Sequence, residues 1–129
     1  KKSLTAQSIS RGLFSNLVKD NNVGKPVPMA RFSKKVNNAS IDELLDSKFS
    51  VISGKDPRGL LDERALSSFK AINAVFINIS NYNFLNSRLA ELIDVGDIIV
   101  RPDKLIYGIT SSEVTLQNLA DEFFNRIGK

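Results

Sequence analysis

The chain has 129 residues and a formal net charge of +4, and it contains neither cysteine nor histidine. Its length fits one domain with a single sizeable core. Without thiols or imidazoles, the chain cannot itself supply a cysteine nucleophile, a Cys/His zinc site, a disulfide exchange site or a Ser-His-Asp triad. No apolar run approaches the roughly 20 residues needed to span a bilayer, and no signal peptide is recognisable. We therefore expect a cytoplasmic protein with no membrane partner.

Positive charge is concentrated at the N-terminal end, where residues 1–36 carry eight lysines and arginines against a single acidic residue, Asp20. Aromatic residues among these charges are limited to Phe14 and Phe32, so we expect a solvated or domain-contacting segment and no nucleic-acid partner. Residues 1–22 are interpreted as an N-terminal linker segment with a short helix around Leu13 to Val18. Residues 23–129 are interpreted as the folded domain.

Turn and strand signals alternate in the first half of this domain. Prolines make Gly24–Pro28 extended, and a short strand or hairpin follows around Met29 to Val36. Ser40-Ile-Asp-Glu43 fits a capping box at the start of a short helix. Phe49–Ser53 is typical of a strand, and the cluster Gly54–Gly59 predicts a loop.

Helical and strand patterns continue to alternate in the second half. Apolar residues at helical spacing predict helices over residues 60–72, from about Leu85 to Ile93, and from Leu116 to Ile127. Ala74-Val-Phe-Ile-Asn-Ile79 is nearly continuously apolar, which is typical of a central strand covered on both faces. The last pair of strands, Ile98–Val100 and Leu105–Ile109, encloses the turn Arg101-Pro-Asp-Lys104, in which proline suits the second position of a type I turn.

Strands that alternate with helices and end in an antiparallel pair predict an α/β fold with a central mixed sheet flanked by helices. From Phe49 onward the order fits a thioredoxin-like sandwich: strand, helix, strand, helix, hairpin, helix.

Four motifs in this order resemble the C-terminal thioredoxin-like domain of FAD-dependent aromatic-ring monooxygenases of the phenol hydroxylase and hydroxyphenylpropionate hydroxylase type. They are Gly24-Lys-Pro-Val-Pro28, Ser40-Ile-Asp-Glu-Leu-Leu45, Phe49-Ser-Val-Ile52 and Val100-Arg-Pro-Asp103. The chain departs from the family at Lys104, which replaces the usual glycine, and this departure is costly if the position needs a positive φ. It also departs at Tyr107-Gly108, where the family has an aromatic and then a basic residue.

The resemblance implies a non-catalytic accessory domain that packs on the preceding FAD-binding and substrate domains of one polypeptide, or that joins two copies as a homodimer. FAD and NAD(P)H are then implied for the parent enzyme and no cofactor for this chain, which lacks a Gly-x-Gly-x-x-Gly fingerprint. The loop Gly54–Gly59, where redox thioredoxins carry Cys-x-x-Cys, has no thiol. Arg101, Pro102 and Asp103 are then structural turn residues.

Two other functions stay open from the residues. One is a free-standing, redox-inactive thioredoxin-like module that binds an acidic protein through its basic N-terminal segment. The other is a carboxylate-dependent enzyme with Mg²⁺ near the acidic residues Asp42, Glu43, Asp46, Asp62 and Glu63, although helix starts favour acidic residues in any case.

Four side chains carry more specific expectations. We expect Arg101 to be solvated, as turn arginines usually are, and Tyr107 to pack in or at the rim of the core. Phe123 and Phe124 are adjacent on a helix, so one of them is a candidate interface anchor.

Overall fold

The computed structural model describes residues 13–28, 31–33, 38–40, 47–81, 83–84 and 88–127. These ranges contain seven strands: β1 (Arg31–Ser33), β2 (Asn38–Ser40), β3 (Ser50–Ser53), β4 (Val75–Asn78), β5 (Asn83–Phe84), β6 (Ile98–Val100) and β7 (Ile106–Ile109). They also contain three α-helices: α1 (Glu63–Ala71), α2 (Arg88–Val95) and α3 (Leu116–Ile127). Short 3₁₀ helices span Pro57–Leu60 and Ile79–Asn81. None of the helices in these ranges is both long and apolar enough to cross a membrane.

The main sheet has the strand order β4-β3-β6-β7. β3 and β4 are parallel and are connected through α1, whereas β6 is antiparallel to both β3 and β7. The predicted α/β fold, with a central mixed sheet flanked by helices, is confirmed. Apart from β5, the order of strands and α-helices from β3 to α3 is also the order that the thioredoxin-like prediction specifies.

A second, smaller sheet has the order β2-β1-β5 and is antiparallel throughout. Its β1 and β2 form the hairpin expected near Met29 to Val36, with the second strand placed a little further along the chain. The helix predicted after Ser40 falls on residues 41–46, which lie outside the described residues.

Both faces of the main sheet are covered. On one face, α2 contributes Leu89, Leu92 and Ile93 to a core with alternate residues of the sheet strands. On the other face, α1 and α3 contribute Phe69, Leu119 and Phe123 to a second core. This arrangement explains why apolar residues predominate in β4, β6 and β7, since helices cover both faces of the sheet.

The position of β4 corrects one expectation. The apolar run Ala74–Ile79 was predicted to be a central strand, but β4 is an edge strand whose one neighbour among the described strands is β3. The apolar pattern indicates that helices cover both faces of the strand. It does not indicate how many strands are hydrogen-bonded to it. The central position belongs to β3 and β6, whose residues Val51, Ile52, Ile98 and Ile99 have no exposed surface.

The opposite edge of the sheet is closed by residues 13–28, which we call the strap. Residues 13–18, expected to form a short helix, are irregular instead. Backbone hydrogen bonds join the strap to β7: Gly24 N donates to Ile106 O at 2.8 Å, and Ile106 N donates to Lys25 O at 2.9 Å. Pro26 forms an antiparallel bridge with Leu105. The outward N–H and C=O groups of Ile106 are therefore satisfied by the strap.

A β-bulge in β7 decides which side chains face α3. Ile99 is opposite Gly108 and Val100 is opposite Ile106, so Tyr107 is an extra residue between two pairs. Without the bulge, Tyr107 and Ile109 would share one face of the sheet; with it, Ile109 packs toward α2 and Tyr107 packs toward α3. Tyr107 is completely buried, which confirms the core packing expected for it.

Gly108 lies where the sheet, α3 and the strap meet. A Cβ atom at this position would lie 2.7 Å from the Ser15 Cβ and 2.8 Å from the Leu119 Cδ1. We expect Gly108→Ala to lower the free energy of unfolding by about 2 kcal/mol, because the added methyl group overpacks this junction. Chemical denaturation monitored by circular dichroism measures the change.

The matched control is Gly59→Ala, since a Cβ atom at Gly59 meets no atom within 4 Å. This variant is expected to stay within about 0.5 kcal/mol of the parent chain. Equal losses for the two variants would show that the close packing around Gly108 is not what limits stability there.

Candidate functional site

An open groove lies at the end of β3, where the chain leaves the sheet. Its volume is about 350 Å³. The residues that line it are Ser53, Gly54, Lys55, Leu60, Ile93, Asp94, Gly96, Asp97 and Thr110. The loop Gly54–Gly59, singled out in the sequence as the place of a redox dithiol in thioredoxins, begins at this groove. Any chemistry in the groove would rest on carboxylates, hydroxyls and one lysine.

The hydroxyl groups of the groove are engaged with its own backbone. The Ser53 Oγ accepts from Lys55 N at 3.0 Å, and the Thr110 Oγ1 accepts from Asp97 N at 2.9 Å. No group of three or more acidic residues placed to hold a metal ion occurs in the described ranges. The groove therefore shows no activated hydroxyl and no assembled metal site among these residues.

The loop after the groove is organised by an exposed ion pair. The Asp56 carboxylate accepts from Arg58 N at 3.1 Å and pairs with the Arg58 guanidinium at 3.0 Å. The side-chain hydrogen bond from Arg58 is the main cause that lowers the pKa of Asp56. Because Asp56 occupies an amide that a phosphate would need, this loop does not fit the role of a dinucleotide cradle.

The turn between β6 and β7 has a defined hydrogen-bonded geometry. The hydrogen bonds Lys104 N to Arg101 O (2.9 Å) and Arg101 N to Leu105 O (2.8 Å) close a three-residue hairpin loop. Lys104 has a φ of +70°. This is the left-handed conformation that glycine adopts freely, so the glycine usual in the resembling family has a conformational reason here.

Arg101 is buried, so the expectation that it is solvated was wrong. It retains 4% of its surface. Its Nε and Nη2 donate to the two carboxylate oxygens of Asp103 at 3.1 and 2.5 Å, and Nη1 donates to Leu13 O at 3.2 Å. The guanidinium carbon lies 4.6 Å from the centroid of the Phe14 ring. A buried cation needs such partners, and two of them come from the strap.

A second anchor of the strap centres on Glu122 of α3. The Tyr107 hydroxyl donates to Oε1 at 2.6 Å and Asn16 N donates to Oε2 at 3.1 Å. The Ser15 side chain also donates to this carboxylate. One turn further along α3, the Arg126 guanidinium donates to Phe14 O. The carboxylate thus ties β7, α3 and the strap together.

The pKa values of this anchor shift in opposite directions. Burial, followed by the hydrogen bond to Glu122, raises the pKa of the Tyr107 phenol above its usual value. Burial also acts to raise the pKa of Glu122, but the hydrogen bonds from Ser15, Tyr107 and Asn16 outweigh it and hold that pKa below its usual value. The stable state at neutral pH is a protonated phenol bonded to a carboxylate, which is a structural arrangement.

The adjacent residues Phe123 and Phe124 differ in burial. Phe123 is completely buried and contacts Phe49, Phe69 and Tyr107. Phe124 is half-buried and packs against Phe69 at 4.7 Å between ring centroids. An interface role for the pair stays a prediction, and the surface available for it in the described chain belongs to Phe124.

The acidic residues considered for a magnesium site have a structural use where they are described. Asp62 is the N-cap of α1, and its side chain accepts from Ala65 N at 2.7 Å. Glu63 lies in the first turn of the same helix. Asp42, Glu43 and Asp46 lie outside the described residues. Capping accounts for the acidic character of the start of α1.

Sequence reasoning missed Ser15, Glu122 and Arg126. Glu122 lies 106 positions from its partner Asn16 and 15 positions from Tyr107. On a helix wheel it is an ordinary polar residue at the boundary of the apolar face. No periodicity or local motif reports a contact of this kind, because the contact depends on where the strap runs.

Comparisons with known proteins find solved structures with a similar fold. No protein-family model matches the chain, and no curated protein matches it. The structure of CabE, an aromatic hydroxylase from angucycline biosynthesis, matches with a TM-score of 0.54 and 18% sequence identity. The match covers 84% of this chain and 21% of the CabE chain, so the chain spans about a fifth of the length of CabE. At 18% identity, this similarity shows that the two chains share a fold.

The turn gives a prediction about Lys104. We compare Lys104→Gly with Lys104→Ala, because both variants lose the lysine side chain and only glycine is free of strain at positive φ. The glycine variant is expected to be more stable than the alanine variant by about 1 kcal/mol, measured by urea denaturation. Equal stability, or a more stable alanine variant, would contradict a strained backbone at this position.

The Glu122 anchor gives a prediction about pH. Its pKa is lower in the folded chain than the ordinary value of 4.5. Ionised Glu122 therefore stabilises the fold above that value, and this contribution is lost as the pH falls through the folded-state pKa. We expect Glu122→Gln to lower the free energy of unfolding by about 1 to 2 kcal/mol near neutral pH and by less near pH ~3.

The control for this experiment is Glu113→Gln, an exposed loop residue. It removes the same charge without touching the strap, and its effect should be small at both pH values. A cost for Glu122→Gln that is the same at low and neutral pH would mean that ionisation of Glu122 contributes nothing.

Proposed function

We propose that this chain is a non-catalytic accessory domain of an FAD-dependent aromatic hydroxylase, which packs on the catalytic part of the enzyme or joins two subunits. The observation that carries the proposal is the structural likeness to CabE, an aromatic hydroxylase, over 84% of this chain and 21% of the CabE chain. A small domain within a longer hydroxylase is the relationship that these two fractions favour.

The motifs support the same proposal from an independent direction. The motif Val100-Arg-Pro-Asp103, on which the resemblance to these monooxygenases depends most, leads into a three-residue hairpin loop whose last residue, Lys104, has a positive φ. The glycine that the resembling family usually has at this position would adopt the positive φ without strain. The thioredoxin-like assignment also belongs to this proposal, and the order β4-β3-β6-β7 supports it.

The polar groups of the chain support a non-catalytic role. Among the described residues, no buried side-chain nitrogen or oxygen lacks a hydrogen-bond partner. Arg101 and Glu122, the charged groups of the two strap anchors, hold the strap in place. Groups used in this way stabilise a fold and are not poised to transfer a proton or to bind an isoalloxazine ring. The flavin and the NAD(P)H of the parent enzyme are therefore assigned to its other domains.

The first test is the reading frame upstream of Lys1. We expect it to stay open and to encode a Gly-x-Gly-x-x-Gly segment between a predicted strand and a predicted helix, because the flavin needs its own domain. Sequencing the genomic DNA on the 5′ side measures this. A stop codon immediately before Lys1 would sink the proposal.

The second test compares the parent polypeptide with the 129-residue chain. Purified under the same conditions, the parent polypeptide is expected to carry a flavin absorbance spectrum and to oxidise NAD(P)H, whereas the 129-residue chain carries no flavin. Flavin bound stoichiometrically to the short chain would show that part of the cofactor site lies in this domain.

A further inference from the structure

The two edges of the main sheet are treated differently by the rest of the described chain. The edge at β7 is closed by the strap through backbone hydrogen bonds. At the other edge, β4 has β3 as its one neighbour among the described strands. Open edges favour association with another strand, and natural proteins commonly block them with a charged residue, a proline, a bulge or a covering segment.

β4 carries none of the blocks that a strand can provide by itself. It contains no proline and no charged residue, and its register with β3 runs from Val75 to Asn78 without a shift. The uncharged stretch extends well beyond the strand, from Ala71 through Ser87. The part of this uncharged stretch that forms the edge of the main sheet is β4 itself, Val75–Asn78.

The register fixes which backbone groups point outward. Val75 N donates to Phe49 O at 2.9 Å, so Val75 and Ile77 direct their amides toward β3. In a parallel ladder the alternate residues direct theirs away from that partner. The N–H and C=O groups of Phe76 and the N–H of Asn78 therefore point to the open side of β4.

We propose that β4 is a self-association edge, where two copies of this chain pair antiparallel through Ala74–Asn78 so that their main sheets become one continuous sheet. An antiparallel edge pair obeys two-fold symmetry, so one strand serves both copies. When Phe76 lies opposite its own copy, Asn78 N lies opposite Ala74 O of the other copy, while Ala74 N keeps its hydrogen bond to Phe69 O at 3.0 Å. The β4 edge is then the contact surface of the homodimer that the resemblance implies. The proposal holds whether or not the chain belongs to a hydroxylase.

Charge and apolar surface favour a second copy as the occupant. Two copies that pair along Ala74–Asn78 place no like charges of these strands opposite one another, although each chain is positive overall. Val75 and Phe76 are half-buried in the single chain, so pairing removes apolar surface that still contacts water. A short strand gives a small interface, and we expect association in the range of about 10 µM to 1 mM.

Hydrogen exchange on the 129-residue chain tests this without any substitution. Exchange of the Phe76 and Asn78 amides is followed by NMR from about 20 µM to 1 mM, beside sedimentation equilibrium on the same samples. We expect both amides to become protected as the mass rises from monomer to dimer, while the Val75 amide is protected throughout.

Two other results would overturn the proposal. Protection of the Phe76 amide that is independent of concentration would mean that the chain covers its own edge. A monomer with a freely exchanging Phe76 amide over the whole range would mean that the edge serves a different partner or none.

A pair of variants separates pairing from side-chain effects. Asn78→Pro removes an outward N–H, and an edge strand accepts proline at such a position. Asn78→Ala keeps the N–H, and both variants lose the hydrogen bonds from Ser80 to the Asn78 side chain. We expect Asn78→Pro to raise the dimer dissociation constant at least about tenfold relative to Asn78→Ala. Equal dissociation constants in two folded variants would exclude pairing through Asn78.

Discussion

The buried guanidinium of Arg101 is the constraint on which the end of this fold depends. A cation with 4% of its surface exposed must be given partners by the protein, because its hydration is lost. Asp103 supplies two carboxylate oxygens from within the same turn, but a guanidinium has five donors. Leu13 O and the Phe14 ring are further partners of the cation, and both belong to the strap. The turn therefore satisfies its charge only with the strap in place, and the strap has its position because the turn requires it.

This dependence links three features that look unrelated in the sequence. The bulge in β7 turns Tyr107 toward α3, where its hydroxyl meets Glu122. Glu122 then accepts from the strap backbone at Asn16. Gly108, next to the bulge, lacks the side chain that would push Ser15 away. A buried cation on one side and a half-buried carboxylate on the other fix one stretch of irregular chain against a sheet edge.

The fold could be predicted from the sequence because most of its helices, strands and turns are determined by local sequence patterns. Apolar periodicity located α1, α2 and α3, and the proline in Arg101-Pro-Asp-Lys104 identified the hairpin turn. It failed at β4, because an apolar run reports coverage of faces and not the number of neighbouring strands. It failed at Arg101, because whether a turn arginine is solvated depends on a segment 88 residues away in the chain. The strap itself has no pattern, since irregular segments are positioned by long-range contacts alone.

The distances along the chain between the strap and its partners bear on the order of folding. Leu13 meets Arg101 across 88 positions, Asn16 meets Glu122 across 106, and Phe14 meets Arg126 across 112. Contacts of such sequence separation form late, because closing a long loop costs entropy before the contact repays it. During synthesis on the ribosome, the strap leaves the exit tunnel first, and the elements that hold it, β7 and α3, are synthesised later. The contacts of the strap with Glu122 and Arg126 therefore form only after α3 has been synthesised.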